Sequence, residues 1–127
     1  MSAVPSAGVG IDLVDVTRFR ALLGRRPGLA ARLFSTEERA ALARRRDPVP
    51  GLAARFAAKE AALKALGVGL GAARWTEIEV LRLASGAPTL RLSGRAATLA
   101  RDRGVAGLAV SLTHTDDLAG AVVVVAR

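Results

Sequence analysis

In "GVGIDLVDV" (8–16), every second residue is apolar: Val9, Ile11 and Leu13. That period of two predicts a half-buried strand. Asp12 sits inside the run. A carboxylate there costs free energy unless it is paired, which leaves two partners open: a structural arginine or a metal ion. The pattern then changes to that of a helix. "TRFRALLG" (17–24) predicts a short helix with Thr17 as N-cap and Gly24 as its stop. "PGLAARLF" (27–34) suits another turn of helix. In "STEERAALARRR" (35–46), Ser35 and Glu38 have capping-box spacing, and the basic end complements the negative helix terminus. "DPVPG" (47–51) predicts a break, from its two prolines and glycine.

The strongest helical segment is 52–66, "LAARFAAKEAALKAL", with Leu52, Phe56, Leu63 and Leu66 on one face. Gly67 ends it, and "GVGLGAAR" (67–74) is a glycine-rich loop. "TEIEVLRL", "ASGAP" and "TLRLS" (76–93) predict strand, turn and strand. "SGRAATLARDRG" (93–104) predicts a helix capped by Ser93 and closed by Gly104. "GLAVSLT", "HTDDL" and "AGAVVVVA" (107–126) predict a final hairpin. No internal repeat or long linker divides the chain, so a single domain over 1–127 is expected. Strands and helices mix without strict alternation, which predicts an α+β fold.

The chain has 127 residues and is 51% apolar, enough to fold around a core. Its formal charge of +8, from 19 basic and 11 acidic residues, favours an acidic partner: nucleic acid, a phosphorylated ligand or an acidic protein. Aromatics are only 3%, with no Tyr and one Trp, which argues against a stacking platform for single-stranded nucleic acid. The absence of Cys excludes a disulfide framework and a thiolate metal site. "MSAVPSAGVG" lacks the basic start and apolar core of a signal peptide. The longest apolar run, "AGAVVVVA", is too short to span a membrane. A cytoplasmic, freestanding protein is the expectation.

Several polar residues stand out against this pattern. Lys59 lies three residues after Phe56 and four before Leu63, on the apolar stripe. Glu60 and Lys64 are four apart along the adjacent edge, and Arg55 flanks the other. One reading is a snorkelling lysine beside an ordinary helical ion pair. The other is a polar strip with one carboxylate for a metal and cations for phosphates. Asp12 and Glu60 together suit a hard divalent cation such as Mg²⁺, which takes one or two carboxylates and completes its shell from water and phosphates. His114, the single histidine, sits where a strand turns into a Ser/Thr-rich loop, a position suited to ligand contact as well as to a structural role. Ser111 and Thr113 are near it, but there is no nucleophile-elbow motif. "GVGLG" (67–71) follows a helix instead of opening one, so neither a dinucleotide fingerprint nor a P-loop is present. "ARRRD" (43–47) reads as a solvated helix end or a nucleic-acid patch.

"GVGIDLVDVTRF", "FSTEE", "LAARFAAKEAALKALG" and "AVSLTHTDDLAGAVVVV", in this order, resemble the holo-acyl-carrier-protein synthases, the small bacterial branch of the 4′-phosphopantetheinyl transferases. "IEVLRLASGAPTLRLSG" is similar to the family's middle hairpin. The resemblance implies the family's α+β fold, a small antiparallel sheet packed with helices, one of them long and central. It implies Mg²⁺-dependent transfer of phosphopantetheine from coenzyme A to a serine of apo acyl carrier protein, in fatty acid biosynthesis, with adenosine 3′,5′-bisphosphate leaving. Asp12 and Glu60 match the metal-binding carboxylates. Lys64 matches a lysine near the pyrophosphate, with Lys59 as a second cation for the leaving phosphate. Arg55 and His114 match residues at the bound coenzyme, and Arg18 a residue on the helix that docks the carrier. Arg44 to Arg46 align less well and are candidates for phosphate or carrier contacts. The acceptor of the serine proton stays open between Glu60 and a water on the metal. Leu13, Asp15 and Leu112 depart mildly from the commoner Ile, Glu and Ile. The family's small members are trimers with active sites between subunits. Two alternatives remain beside this reading: an inactive relative, and a basic module that binds nucleic acid or an acidic protein.

Overall fold

The chain opens with β1 (Ala7–Asp15), α1 (Val16–Arg25), α2 (Leu29–Leu33), α3 (Thr36–Leu42) and the 18-residue α4 (Val49–Leu66). After a 3₁₀ turn, Trp75–Glu77, come β2 (Ile78–Arg82), β3 (Pro88–Leu92), α5 (Gly94–Asp102), β4 (Gly107–His114) and β5 (Leu118–Ala126). This computed structural model describes residues 7–127. The reading of the N-terminus as lacking a signal peptide falls largely on residues 1–6, outside the described residues. One antiparallel sheet has the order β1–β5–β4, and β2 pairs with β3 in a separate antiparallel hairpin. The fold is α+β, as expected. The long helix α4 packs across the three-stranded sheet and also touches β2.

The covered face of β1 is the reverse of the one that Val9, Ile11 and Leu13 suggest. Those three are 68%, 62% and 63% exposed. Gly8, Gly10, Asp12 and Val14 turn toward α4 instead. A Cβ on Gly8 would collide with the carbonyl oxygen of Ala65, and one on Gly10 with that of Ala61. Glycine on the strand and alanine on the helix thus let the two backbones come closer than any larger pair would allow.

That contact also explains why α4 is less one-sided than its leucines imply. Ala57, Ala58, Ala61 and Ala62 are fully buried, as are Leu63 and Leu66 to within 2%. A helix apolar on nearly every side is a core helix. Away from the sheet, Phe56 of α4 stacks on Phe19 of α1 with centroids 5.5 Å apart and meets Trp75 at 5.1 Å. Phe34 packs edge-on to Phe19.

The local signals hold in part. The Ser35–Glu38 capping box is present, with Ser35 Oγ accepting from the Glu38 amide and Glu38 Oε1 from the Ser35 amide. Gly67 ends α4 in the left-handed conformation, φ 76°. The cap of α1 is Asp15, whose carboxylate accepts from the Arg18 amide, and not Thr17. Gly24 lies inside that helix. The expected break at "DPVPG" is shorter, because α4 begins at Val49 and Pro50 falls in its first turn, where a missing N–H costs nothing. Ser93 precedes α5 without a side-chain capping bond. Among the described residues, no helix is long and apolar enough to cross a membrane.

Candidate active site

The approach of β1 to α4 carries Asp12 onto the helix beside Glu60 and Lys64. Lys64 Nζ donates to Asp12 Oδ1 and to the Ile11 carbonyl, both at 3.0 Å. The Asp12 side chain is 16% exposed and that of Lys64 is 56% exposed. Glu60 is half-buried. Its burial, then its hydrogen bond to Asp12 and the charge of Asp12, push its carboxyl up to about 7, against the opposing pull of Lys64. Two carboxyl groups thus share one site, and the second resists ionising. A cation between them would remove that conflict. Two oxygen donors fit a hard divalent ion such as Mg²⁺, which takes its remaining ligands from water and phosphate.

A second polar cluster lies on the same helix. Arg55 is five residues before Glu60, about 7.5 Å along the axis. It is only 2% exposed, and its Nε is buried without a hydrogen-bond partner. Burial lowers its pKa, as do the charges of Arg82 and Arg45, while Glu38 opposes them. Arg55 lines a cavity of about 260 Å³ together with Arg45, Arg82 and His114. His114 is exposed at the end of β4, with Ala119 between it and Val14 across the sheet. Asp12 and His114 therefore stand on the same face of the sheet, one row apart. Burying a guanidinium among other cations is costly unless an anion completes the site. An anion in the cavity would offset that cost, and a phosphate would suit the forked donors of its arginines.

Most of the expected residues therefore converge, and one does not. Asp12, Glu60 and Lys64 meet, while Arg55 and His114 share the neighbouring cavity. Of the basic run 44–46, Arg45 reaches that cavity. Arg18 is exposed on α1. Lys59 departs from its expected role as a phosphate contact. It is fully buried, ion-paired to Glu38 at 2.7 Å, and donates to the carbonyls of Trp75 and Ile78 at 2.9 and 2.6 Å. Its three protons are used inside the core, so it neither snorkels nor reaches a ligand. Arg82 is the residue the sequence pattern missed. It ends an ordinary-looking strand, and only the placement of β2 beside α4 brings it to Arg55.

A sequence model of the 4′-phosphopantetheinyl transferase superfamily matches residues 8–122, which include every residue of both clusters. The holo-[acyl-carrier-protein] synthase of Streptomyces coelicolor is 50% identical over 117 residues, covering 92% of this chain and 94% of that one. The chain belongs to the holo-[acyl-carrier-protein] synthase family of 4′-phosphopantetheinyl transferases. Membership makes it an enzyme of the transferase class. Among solved structures, the holo-[acyl-carrier-protein] synthase of Neisseria meningitidis superposes with a TM-score of 0.86 at 30% identity, covering 94% of this chain and 98% of that one. The Chronobacterium ammoniagenes synthase–CoA complex gives 0.84 at 31% identity, with 95% and 97% covered. The family's small sheets and long helix are those described above.

Proposed function

We propose that this chain, acting as one domain, transfers the 4′-phosphopantetheine group of coenzyme A to a serine of apo acyl carrier protein. Mg²⁺ is required and adenosine 3′,5′-bisphosphate is released. The observation that carries this reading is the placement, on one helix, of an acid pair beside a cationic cavity with an unpartnered buried arginine. Pyrophosphate chemistry needs both halves: carboxylates for a divalent ion, and fixed cations for the phosphates. The solved relative bound to CoA supports the choice of coenzyme A as donor.

The serine oxygen attacks the β-phosphorus of the coenzyme's pyrophosphate. The bond from that phosphorus to the bridging oxygen breaks, and the bisphosphate departs with its electron pair. Asp12 and Glu60 would hold Mg²⁺, whose charge polarises the pyrophosphate oxygens. Lys64, more than half exposed, turns from Asp12 to the departing phosphate. Arg55, Arg45, Arg82 and His114 hold the phosphate groups in place, which is most of what catalysis asks in such transfers. The serine proton passes to an acceptor at the acid pair. Glu60 itself, or a water held at the pair, is placed to take it.

The carrier docks on α1. Arg18 and Arg25 are exposed there and flank the half-buried Leu22 on one side of the helix, a pattern suited to an acidic helix with an apolar ridge. The active assembly is a homotrimer. The outer face of the β1–β5 pair supports assembly, because Val9, Ile11, Leu13, Leu118 and Val124 are all exposed on it. A contiguous apolar sheet face of this kind is rarely left to water. With coenzyme A and an acidic carrier as substrates, the proposed setting is the cytoplasm. A nucleic-acid module is less well supported: the chain has only four aromatic residues, of which Phe19 and Phe34 are buried and Phe56 and Trp75 are half-buried and pack on one another.

Mass spectrometry of an apo carrier incubated with this chain, coenzyme A and Mg²⁺ tests the reaction. The expected result is a gain of one phosphopantetheine, abolished by EDTA and by Asp12→Ala. No gain with any of several carriers, or full activity of Asp12→Ala at saturating Mg²⁺, would sink the assignment.

A further inference from the structure

Arg55 and Lys59 stand one helical turn apart on α4, and both are buried, at 2% and 0% exposure. Glu38 of α3, also at 0%, faces this part of the helix. The other buried carboxylate, Glu79 at 8%, is taken up by Arg91 and Ser35. Glu38 is left to the two buried cations, and they do not share it equally. Lys59 Nζ donates to Glu38 Oε1 at 2.7 Å. The amide of Ser35 adds a second bond to Oε1, and the amide of Val80 donates to Oε2, each at 3.0 Å. Glu38 is therefore fully engaged. Arg55 donates no hydrogen bond to it, and the buried Nε of this cavity-lining residue stays unpartnered. Glu38 is nevertheless close enough for its charge to act on Arg55.

We propose that Lys59 is a positioning residue for the phosphate cavity: by engaging Glu38, it keeps that carboxylate from Arg55 and leaves the guanidinium free for a phosphate of coenzyme A. The inference rests on the reading of the cavity as the coenzyme's phosphate site. Lys59 touches no ligand and acts through the charge it neutralises. Without it, Glu38 carries an unpaired buried charge, and the guanidinium one turn along α4 is a buried cation able to satisfy it. An Arg55–Glu38 pair would then compete directly with the incoming phosphate. The arrangement also gives a reason for keeping a buried ion pair in the core, where two apolar side chains of similar volume often serve as well.

Calorimetric titration of coenzyme A into the full chain, in metal-free buffer, tests this with Arg55→Gln, Lys59→Met, Glu38→Gln and the double variant Lys59→Met/Glu38→Gln. Arg55→Gln and Lys59→Met should each weaken binding by about tenfold or more, the loss of one charged hydrogen bond. The double variant should recover binding close to that of the parent chain, because the competing carboxylate is gone. Glu38→Gln alone should bind at least as tightly as the parent, and KM for carrier protein should stay unchanged in all four. A purely structural role would make the double variant bind as weakly as Lys59→Met, or make Glu38→Gln bind weakly, and either result overturns the proposal. Normal binding by Arg55→Gln would overturn both the proposal and the reading of the cavity. Weak binding by Arg55→Gln with normal binding by Lys59→Met removes the positioning role alone. If circular dichroism finds Lys59→Met unfolded, the double variant and Glu38→Gln still decide by the same criteria.

Discussion

Asp12 and Glu60 show how two ordinary carboxyl groups become a site. Asp12 has Lys64 as its ion-pair partner. Glu60 has Asp12 as its neighbour, and with burial this lifts its carboxyl from an ordinary value of 4.5 to about 7. The folded chain therefore binds that proton more tightly than the unfolded one. The resulting contribution to stability is complete below pH 4.5 and is lost as pH rises through 7. In EDTA, the melting temperature should carry a downward component between these limits, and Glu60→Gln should flatten it. Mg²⁺ should then stabilise the chain more at pH 8 than at pH 5, because it binds the ionised pair. Calorimetric melting across pH, with and without Mg²⁺, reads both effects. A melting curve with the same pH dependence in Glu60→Gln would assign the effect to another group.

The contact between β1 and α4 sets the geometry of that pair. Gly10 lies two residues before Asp12 in the strand, and any side chain there meets the Ala61 carbonyl and the Ala65 amide of the helix. Gly10→Ala must push strand and helix apart, and overpacking of this kind costs about 1–3 kcal/mol. Thermal unfolding should register that loss. Transfer activity should fall further than the folded fraction does, because Asp12 moves with the strand while Glu60 and Lys64 stay on the helix. If activity tracked folded protein alone, the close approach would matter for packing and not for the site. On the far side of α4, the aromatic group and the buried Lys59–Glu38 pair fix the helix against α3 and the 3₁₀ turn.

On the proposed reading, the molecule as a whole presents two surfaces to partners. Its net charge of +8 steers an acidic carrier toward it, and that attraction weakens when salt brings the Debye length down to about 10 Å at 0.1 M. Transfer at low carrier concentration should therefore slow as salt rises. Arg18→Glu should raise KM for the carrier by roughly tenfold or more while changing KM for coenzyme A little, since a reversed charge at a docking surface acts on one substrate. Equal effects on both would count against α1 as the docking helix. The second surface is the apolar outer face of the sheet. Light scattering should give the mass of three chains, and Ile11→Asp, which sets a charge in the middle of that face, should release smaller species. A monomeric, active parent chain would remove the trimer.

Much of this protein is legible in its residues because much of it is local. The capping box at Ser35 and Glu38, the glycine stop at 67, and the placing of Glu60 and Lys64 along one edge of a helix all depend on neighbours within a turn. With the four motifs in order, those local features were enough to reach the α+β fold and to single out most of the residues that converge at the candidate site. Three features were beyond their reach. Alternation in β1 separates two faces but does not say which is covered, and here the glycine face wins because only it lets α4 approach. The stripe on α4 marks Lys59 as odd but cannot say that its partner is Glu38, 21 residues away. Arg82 carries no local signal and enters the cationic cavity only through the packing of β2. Periodicity and spacing follow from backbone geometry, which each segment carries alone. Which face is buried, which charge is paired and which is left for a ligand depend on contacts that exist only once distant segments meet.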